Sequence, residues 1–395
     1  VFISSNGTSD WQPLIGYSAE WQNLLSEKIE ELLYLSGVTS LDQGGIPTRF
    51  GSSIIYPAEV ENVVIRETES DVYSPSPALL LDGERLSFFT EGLKILKKIM
   101  PKAEYHIVLS RRRKTVMSRI EENLRPDEAV KLYFVKPKYP QHMDEVIVPT
   151  ILKGKFPYGF SAANIGVTVL SFQTVLHVYE AIAEGKPLIE RIIALGGPGF
   201  CDNPHVKVRL GTPFSEIIKG KITAEKELRF IHNSTNTGPA IQDLSIPVTK
   251  ESTALIALHE RKTGEVLSFA RPGFKKDSFS NTFLSRFLPF KRDAHTNIRG
   301  ERRACLSCTF CADICPTGLM PNVLHPYIER KIIDETLNRY KIFDCIDCNL
   351  CTYVCPSKIP VAKLLHDGKE QLRKDGIDNR DKIASLFNLK GIEKT

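Results

Sequence analysis

The chain has 395 residues, of which 42% are hydrophobic and 25% charged, the composition of a folded globular protein of several domains rather than a fibrous or disordered one. Its 52 Lys and Arg against 47 Asp and Glu leave a net charge of +5, too slight to point to a nucleic-acid partner. Nor is there an apolar run of about 18 residues to cross a membrane, since the nearest, Ile165 to Ala183, is broken by Ser171, Gln173, His177 and Glu180.

Residues 1–43 read as a polar segment followed by an opening helix, with Leu24, Ile29, Leu32 and Leu33 at helical spacing between Trp21 and Ser36. The first residues, Val1-Phe2-Ile3, lack the basic region and cleavage site of a signal peptide and lack an initiating Met, so a trimmed N-terminus is expected. Across residues 44–186 short apolar runs alternate with helical patterns. The runs are Asn62 to Ile65, Tyr105 to Leu109, Lys131 to Val135 and Val167 to Ser171; the helices are Leu86 to Ile99, Met117 to Leu124, Met143 to Leu152 and Gln173 to Ala183. This predicts an α/β, Rossmann-like domain with a largely parallel sheet.

Residues 187–270 change to short β-like runs, Ile189 to Leu195, Lys207 to Leu210, Ile246 to Val248 and Ala254 to Leu258, with one helix near Phe214 to Lys219. A small mixed β module such as a β-grasp is expected. Residues 271–300 are rich in Arg, Lys, Phe, Pro and Asn and read as a linker or docking segment, with Phe283, Phe287 and Phe290 beside Arg286, Lys291 and Arg292. Residues 301–395 read as mainly helical and hold the cysteines. Val323, Tyr327, Ile328, Ile332, Leu337 and Tyr340 continue a helical spacing between the two cysteine motifs.

Eight of the nine cysteines fall between Cys305 and Cys355, unlike the spread framework of a disulfide-rich secreted domain. They form the same pattern twice, C-x2-C-x2-C-x3-C-P, at Cys305, Cys308, Cys311 and Cys315-Pro316 and at Cys345, Cys348, Cys351 and Cys355-Pro356. In two-cluster ferredoxins three thiolates of such a motif hold one iron-sulfur cube and the fourth reaches the other. The expected ligands are therefore Cys305, Cys308, Cys311 and Cys355 for one [4Fe-4S] cluster, and Cys345, Cys348, Cys351 and Cys315 for the second. A pair of zinc sites is the bland alternative, but zinc does not require a third cysteine and a Cys-Pro in each motif. Arg286, Lys291, Arg292, Arg299, Arg302 and Arg303 precede the first cysteine and would offset cluster charge. His106, His177, His205 and His259 show no ligand spacing, Cys201 lacks a resolving partner, and Gly196-Gly-Pro-Gly199 precedes a β segment, so none is assigned chemistry.

At these cysteines the chain resembles the RnfC subunit of Rnf complexes, and also the NqrA subunit of sodium-translocating NADH:quinone reductase. Further matching segments are Lys138-Tyr-Pro-Gln141, Pro157-Tyr-Gly159 with Ala163-Asn-Ile-Gly166, Gly185 to Arg191, Val208 to Pro213 and Pro247 to Lys250; Arg271-Pro-Gly-Phe274 is more NqrA-like. The resemblance implies a domain related to the flavoprotein subunit of respiratory complex I, a β-grasp module of the soluble-ligand-binding kind and a helical dicluster ferredoxin domain. It implies a cytoplasmic protein, peripheral on the inner face of the cell membrane, whose partners are other subunits of a membrane redox complex, with ferredoxin, NADH or quinone as further candidates. The amino-terminal barrel-sandwich domain of both families has no counterpart in this sequence.

The resemblance also locates a candidate FMN/NADH site at Gly44, Gly45, Glu69 and Asp71. Gln43-Gly-Gly-Ile-Pro-Thr48 matches a glycine-rich turn that brings backbone amides to the FMN phosphate, and Arg66 to Tyr73 matches an Asn-Gly-Ala-Glu-Cys-Glu-Pro-Tyr-like segment. Here Asn-Gly is replaced by Arg66-Glu67, and a further glycine by His142, so FMN binding is doubtful. The leading expectation is an electron-transfer subunit of an ion-translocating oxidoreductase that lacks its own flavin. The alternative is an FMN-containing NADH dehydrogenase subunit or a soluble NAD(P)H:ferredoxin oxidoreductase.

Overall fold

The computed structural model describes residues 11–42, 44–51, 53–68, 70–111, 114–124, 130–223, 227–260, 296, 302–378, 380–387 and 389–390. Glu69 and the aromatic and basic segment 283–292 lie outside them. Among the described residues no helix is long and apolar enough to cross a membrane.

The first sheet consists of β1 (Asn62–Glu67), β2 (Glu104–Ser110), β3 (Val130–Val135) and β4 (Val167–Ser171), all parallel, in the order β3-β2-β1-β4. β1 carries three consecutive buried apolar residues, as a parallel strand covered on both faces requires. Val63 and Ile65 point to the core shared with α1 (Ser26–Ser36), α3 (Arg85–Ile99) and α6 (Phe172–Ala183), whereas Val64 packs with Val108, Val169 and the opposite helix α5 (Asp144–Leu152). The short α2 (Pro77–Leu80) and α4 (Lys114–Leu124) complete this domain. Helix α1 stops where Gly37 takes φ 81°, and α6 starts where the Ser171 hydroxyl accepts the Thr174 amide.

The second sheet is mixed: β5 (Glu190–Gly196), β6 (His205–Arg209), β7 (Leu228–His232), β8 (Ala240–Ile241) and β9 (Ala254–His259) lie in the order β6-β5-β9-β7-β8, with only β5 and β9 parallel. Phe214 of α7 (Phe214–Ile217) is fully buried against it. One expectation fails here, and two strands lie outside those expected. Ile246 to Val248 is not a strand, because Pro247 has no N–H to give a ladder and forms only a bridge to Pro213. β7 and β8 went unread because neither offers a long apolar alternation.

The cysteine module is helical: α8 (Phe310–Asp313), α9 (Pro321–Glu329), α10 (Glu335–Arg339), α11 (Leu350–Tyr353), α12 (Val361–Lys374) and α13 (Arg380–Ala384). Its core joins Leu324, Leu337, Ile342, Phe343, Leu365 and Leu372. The segment between the motifs is two helices rather than one, since Lys331 takes φ 59° and Asp334 caps α10 by accepting the Thr336 amide. Beyond α13 the chain returns to the first domain. Lys390 exchanges backbone and side-chain hydrogen bonds with Asn164, and its Nζ reaches the Glu59 carbonyl and Glu61 Oε1 at 2.7 Å each.

Candidate metal centres and an adjoining cleft

The two cysteine motifs fold alike. Ser307 and Thr309 in the first, and Asp347 and Asn349 in the second, hold positive φ values of 51°, 62°, 53° and 65°. A non-glycine residue costs about 1 kcal/mol or more in that region, so a conformation repeated at equivalent places reflects a shared demand on the loop. In each motif the first two cysteines lie in a loop, and the third sits on a one-turn helix, α8 or α11, that leads to the Cys-Pro.

Cys315 lines one pocket together with Cys345, Cys348 and Cys351, floored by Leu319, Ala362 and Leu365. Cys311 has Cys308, Cys305 and Cys355 as its electrostatic neighbours. The fourth cysteine of each motif is therefore brought to the other motif's set. Burial pushes the Cys345 thiol up to about 11 and Cys351 to about 12, and raises Cys348 and Cys311 as well. Such thiols ionise at neutral pH only if a cation takes the proton's place. Four thiols lining one pocket fit a four-iron cluster, which takes four cysteine ligands.

The two centres differ in exposure. Cys305 is exposed, and Leu306 and Phe310 beside it are 64% and 55% exposed. Cys348 and Cys351 are buried, and their loop docks on the other two domains. The Tyr139 hydroxyl donates to the Cys348 carbonyl at 2.8 Å, and Asn349 Nδ2 donates to the Asn236 carbonyl at 2.8 Å.

Tyr139 leads to a cleft of ≈ 1040 Å³ between the two sheets. Its floor is formed by Arg66, Glu67 and Ser171 at the carboxyl ends of β1 and β4, where the strand order reverses and open α/β sheets place their ligands. Arg191, Asn233, Ser234, Thr237, Glu251 and Thr253 of the β module form the facing wall. Arg66 Nη2 donates to Asp144 Oδ1 at 3.2 Å; burial nevertheless lifts Asp144 to about 6. His142 lies 3.2 Å from the Ser70 hydroxyl, and burial, with Arg66 adding to it, holds its imidazole down to about 4, so it is neutral at pH 7. Asp42 Oδ2 accepts the Ser171 amide at 3.0 Å and the Thr174 hydroxyl, which puts a carboxylate on the N-terminus of α6. The Nε atoms of Arg66 and Arg191 are buried without a hydrogen-bond partner, and Arg191 is 4% exposed.

Of the residues expected at a flavin site, Asp71 lines this cleft, raised by burial. Gly44 and Gly45 do not line it. They build the adjacent turn, where the Gly45 amide bonds the Asp42 carbonyl, the Ile46 amide bonds the Thr39 carbonyl, and a Cβ on Gly45 would lie 2.1 Å from the Thr39 oxygen. Sequence reasoning missed Asp42, Gln173, Arg191 and the β-module wall. The usable signal was the strand order, which only the fold supplies.

The 4Fe-4S dicluster domain family matches residues 301–359. Proteins named as the C subunit of an ion-translocating oxidoreductase complex match nearly the whole chain: that of Buchnera aphidicola subsp. Acyrthosiphon pisum is 25% identical over 95% of this chain and 72% of its own length. The one from Buchnera aphidicola subsp. Baizongia pistaciae is 26% identical over 94% and 66%, and that of Yersinia enterocolitica is 24% identical over 94% and 48%. The chain thus spans about half to three quarters of these relatives. In fold, a chain of an NAD+-reducing [NiFe]-hydrogenase in its H2-reduced state matches with TM-score 0.52 at 8% identity, over 96% of this chain and 66% of that one. Along almost all of its length the chain is similar to proteins named as C subunits of ion-translocating oxidoreductase complexes, and toward its C-terminal end the 4Fe-4S dicluster domain family matches it.

Proposed function

We propose that the protein is an electron-transfer subunit of a membrane-associated, ion-translocating oxidoreductase, and that it moves electrons through two [4Fe-4S] clusters. The observation that carries this reading is the crossed gathering of eight cysteines into two sets of four by duplicated loops. Cys305, Cys308, Cys311 and Cys355 would hold one cluster, and Cys315, Cys345, Cys348 and Cys351 the other; bound there, each supplies reversible one-electron storage. The chain's own part is to hold the two sets side by side, to bury one and to leave the other at the surface. The relatives' name supports other subunits as partners and a peripheral position at the cytoplasmic face of the membrane. The strand order β6-β5-β9-β7-β8, two hairpins with the last strand between them, supports a β-grasp for the second domain.

A cleft without flavin belongs to the same reading. The amides of Gly45 and Ile46 are used inside their turn, and Asp42 sits where α6 would otherwise receive a phosphate. Glu67, Asp71 and Glu251 add further carboxylates to the walls. Electrons then arrive from a partner. The alternative, an FMN-containing NADH dehydrogenase subunit, is favoured by one observation, the two unpartnered guanidinium Nε atoms in a cleft at the strand-order reversal.

Anaerobic purification with metal, sulfide and flavin analysis tests both parts. About eight iron and eight sulfide per chain are expected from two four-iron clusters, with less than stoichiometric FMN and no bleaching of the clusters by NADH in the isolated chain. Stoichiometric zinc with little iron would overturn the cluster assignment. One tightly bound FMN, or rapid cluster reduction by NADH, would overturn the flavin-free cleft and promote the alternative.

A further inference from the structure

The duplication allows the two centres to be compared residue by residue. Lys369 on α12 follows Cys345 at the same distance as Glu329 on α9 follows Cys305. The same correspondence sets Asp347 against Ser307. One scaffold therefore carries opposite charges at one matching position, and a carboxylate against a neutral hydroxyl at another.

At the second centre the Lys369 ammonium donates to the Cys345 carbonyl at 2.8 Å and to Asp347 Oδ2 at 2.6 Å. The Lys369 side chain is only 4% exposed and that of Asp347 is 45% exposed. Asp347 Oδ1 is 3.7 Å from Cys345 Sγ, and its other oxygen is 3.5 Å from His366 Nδ1. At the first centre Glu329 is taken up by Arg302 and lies 3.7 Å from His325 Nδ1.

Burying an ammonium costs several kcal/mol unless it is paired, so its placement against a cysteine carbonyl calls for a reason. Charge acts on a neighbour in inverse proportion to the local dielectric, and exposed charge is screened. Buried Lys369 therefore acts more strongly on its centre than half-exposed Asp347 does. Reduction adds one electron to a thiolate-ligated cluster, and a cation nearby stabilises the added charge.

We propose that Lys369 sets the reduction potential of the centre formed by Cys315, Cys345, Cys348 and Cys351, raising it, with Asp347 as the opposing control, and that the first centre lacks this device. The inference rests on the reading that this centre holds a [4Fe-4S] cluster. Lys369 is a positioning residue that acts through the Cys345 loop, and the pair tunes the buried centre independently of the exposed one.

The test is an anaerobic redox titration of the full chain followed by electron paramagnetic resonance, with iron content and melting temperature measured on the same samples. In Lys369→Met the second centre should be harder to reduce, its reduced-to-oxidised ratio at a fixed ambient potential falling about tenfold, which is about 59 mV for one electron. Asp347→Asn should shift the same centre the other way, and Glu329→Gln should leave it unmoved. Should Lys369→Met lose its iron, Asp347→Asn decides alone, because it keeps the Lys369 bond to the Cys345 carbonyl. Full iron with an unmoved second centre in Asp347→Asn, or an equal shift of both centres in Lys369→Met, overturns the proposal. A wild-type chain without iron at either centre overturns the underlying reading instead.

Discussion

The cysteine module and the cleft differ in how tightly their chemistry is tied to the local chain. In the module, cysteines three or four residues apart are presented by a loop of fixed shape, repeated with left-handed backbone at the same positions. In the cleft, Asp42, Arg66, Asp71, His142, Arg191 and Asn233 come from five separate stretches, and each is held by a partner remote in sequence or by the packing of two domains. A locally encoded site keeps its identity as long as its spacing is kept. A site assembled over long range changes its chemistry when a few side chains change.

The comparison breaks most severely if the module can lose a ligand unharmed. Cys351→Ala should remove about half of the iron, roughly four atoms per chain, and lower the melting temperature of the module, whose core includes Cys351; metal analysis and calorimetry read both. The crossed arrangement is sharpened by Cys315→Ala, which should abolish the resonance of the centre built on Cys345, Cys348 and Cys351 and spare that of its own motif neighbours.

The cleft should make its own mark on the pH dependence of stability. His142 is held to about 4 from 6.5, so the folded state resists a proton that the unfolded chain takes up. Its contribution is present above pH 6.5 and is lost as pH falls toward 4, by about 3 kcal/mol at most. Denaturant melts of His142→Gln across pH 4–7 should show a flatter profile than the parent chain. The smallest expected effect is at the junction. Tyr139→Phe removes one hydrogen bond to the Cys348 carbonyl and should cost about 1 kcal/mol, with a perturbed resonance at the second centre and an unchanged one at the first.

The duplicated cysteine motif was legible in the sequence because it is written in short, local spacings. The parallel sheet was legible too, since Val63-Val64-Ile65 and Val167 to Leu170 are buried on both faces and read as unbroken apolar runs. β7 was not, because Leu228–His232 is only partly buried and mixes Arg and His with its apolar residues. Ile246 to Val248 has the apolar content of a strand, but Pro247 spoils the ladder and Val248 enters the core from a loop. The role of Asp42 was hidden for another reason: its carboxylate meets Ser171 and Thr174 only after β4 and α6 have been laid beside the opening helix.

The return of the chain at Lys390 bears on how rigidly the cysteine module is carried. A module hung on a single connection would swing, and its distance to the cleft would vary with each excursion. Here Lys390 fastens the far end to Asn164, Glu59 and Glu61 on the first domain, while Tyr139 and Asn349 fasten the cysteine loop itself. Each attachment raises the effective concentration of the others, because once one is made the rest close within a single molecule. The Cys348 loop and the cleft therefore keep one separation, and the tail works as a clasp that holds the cysteine module to both other domains.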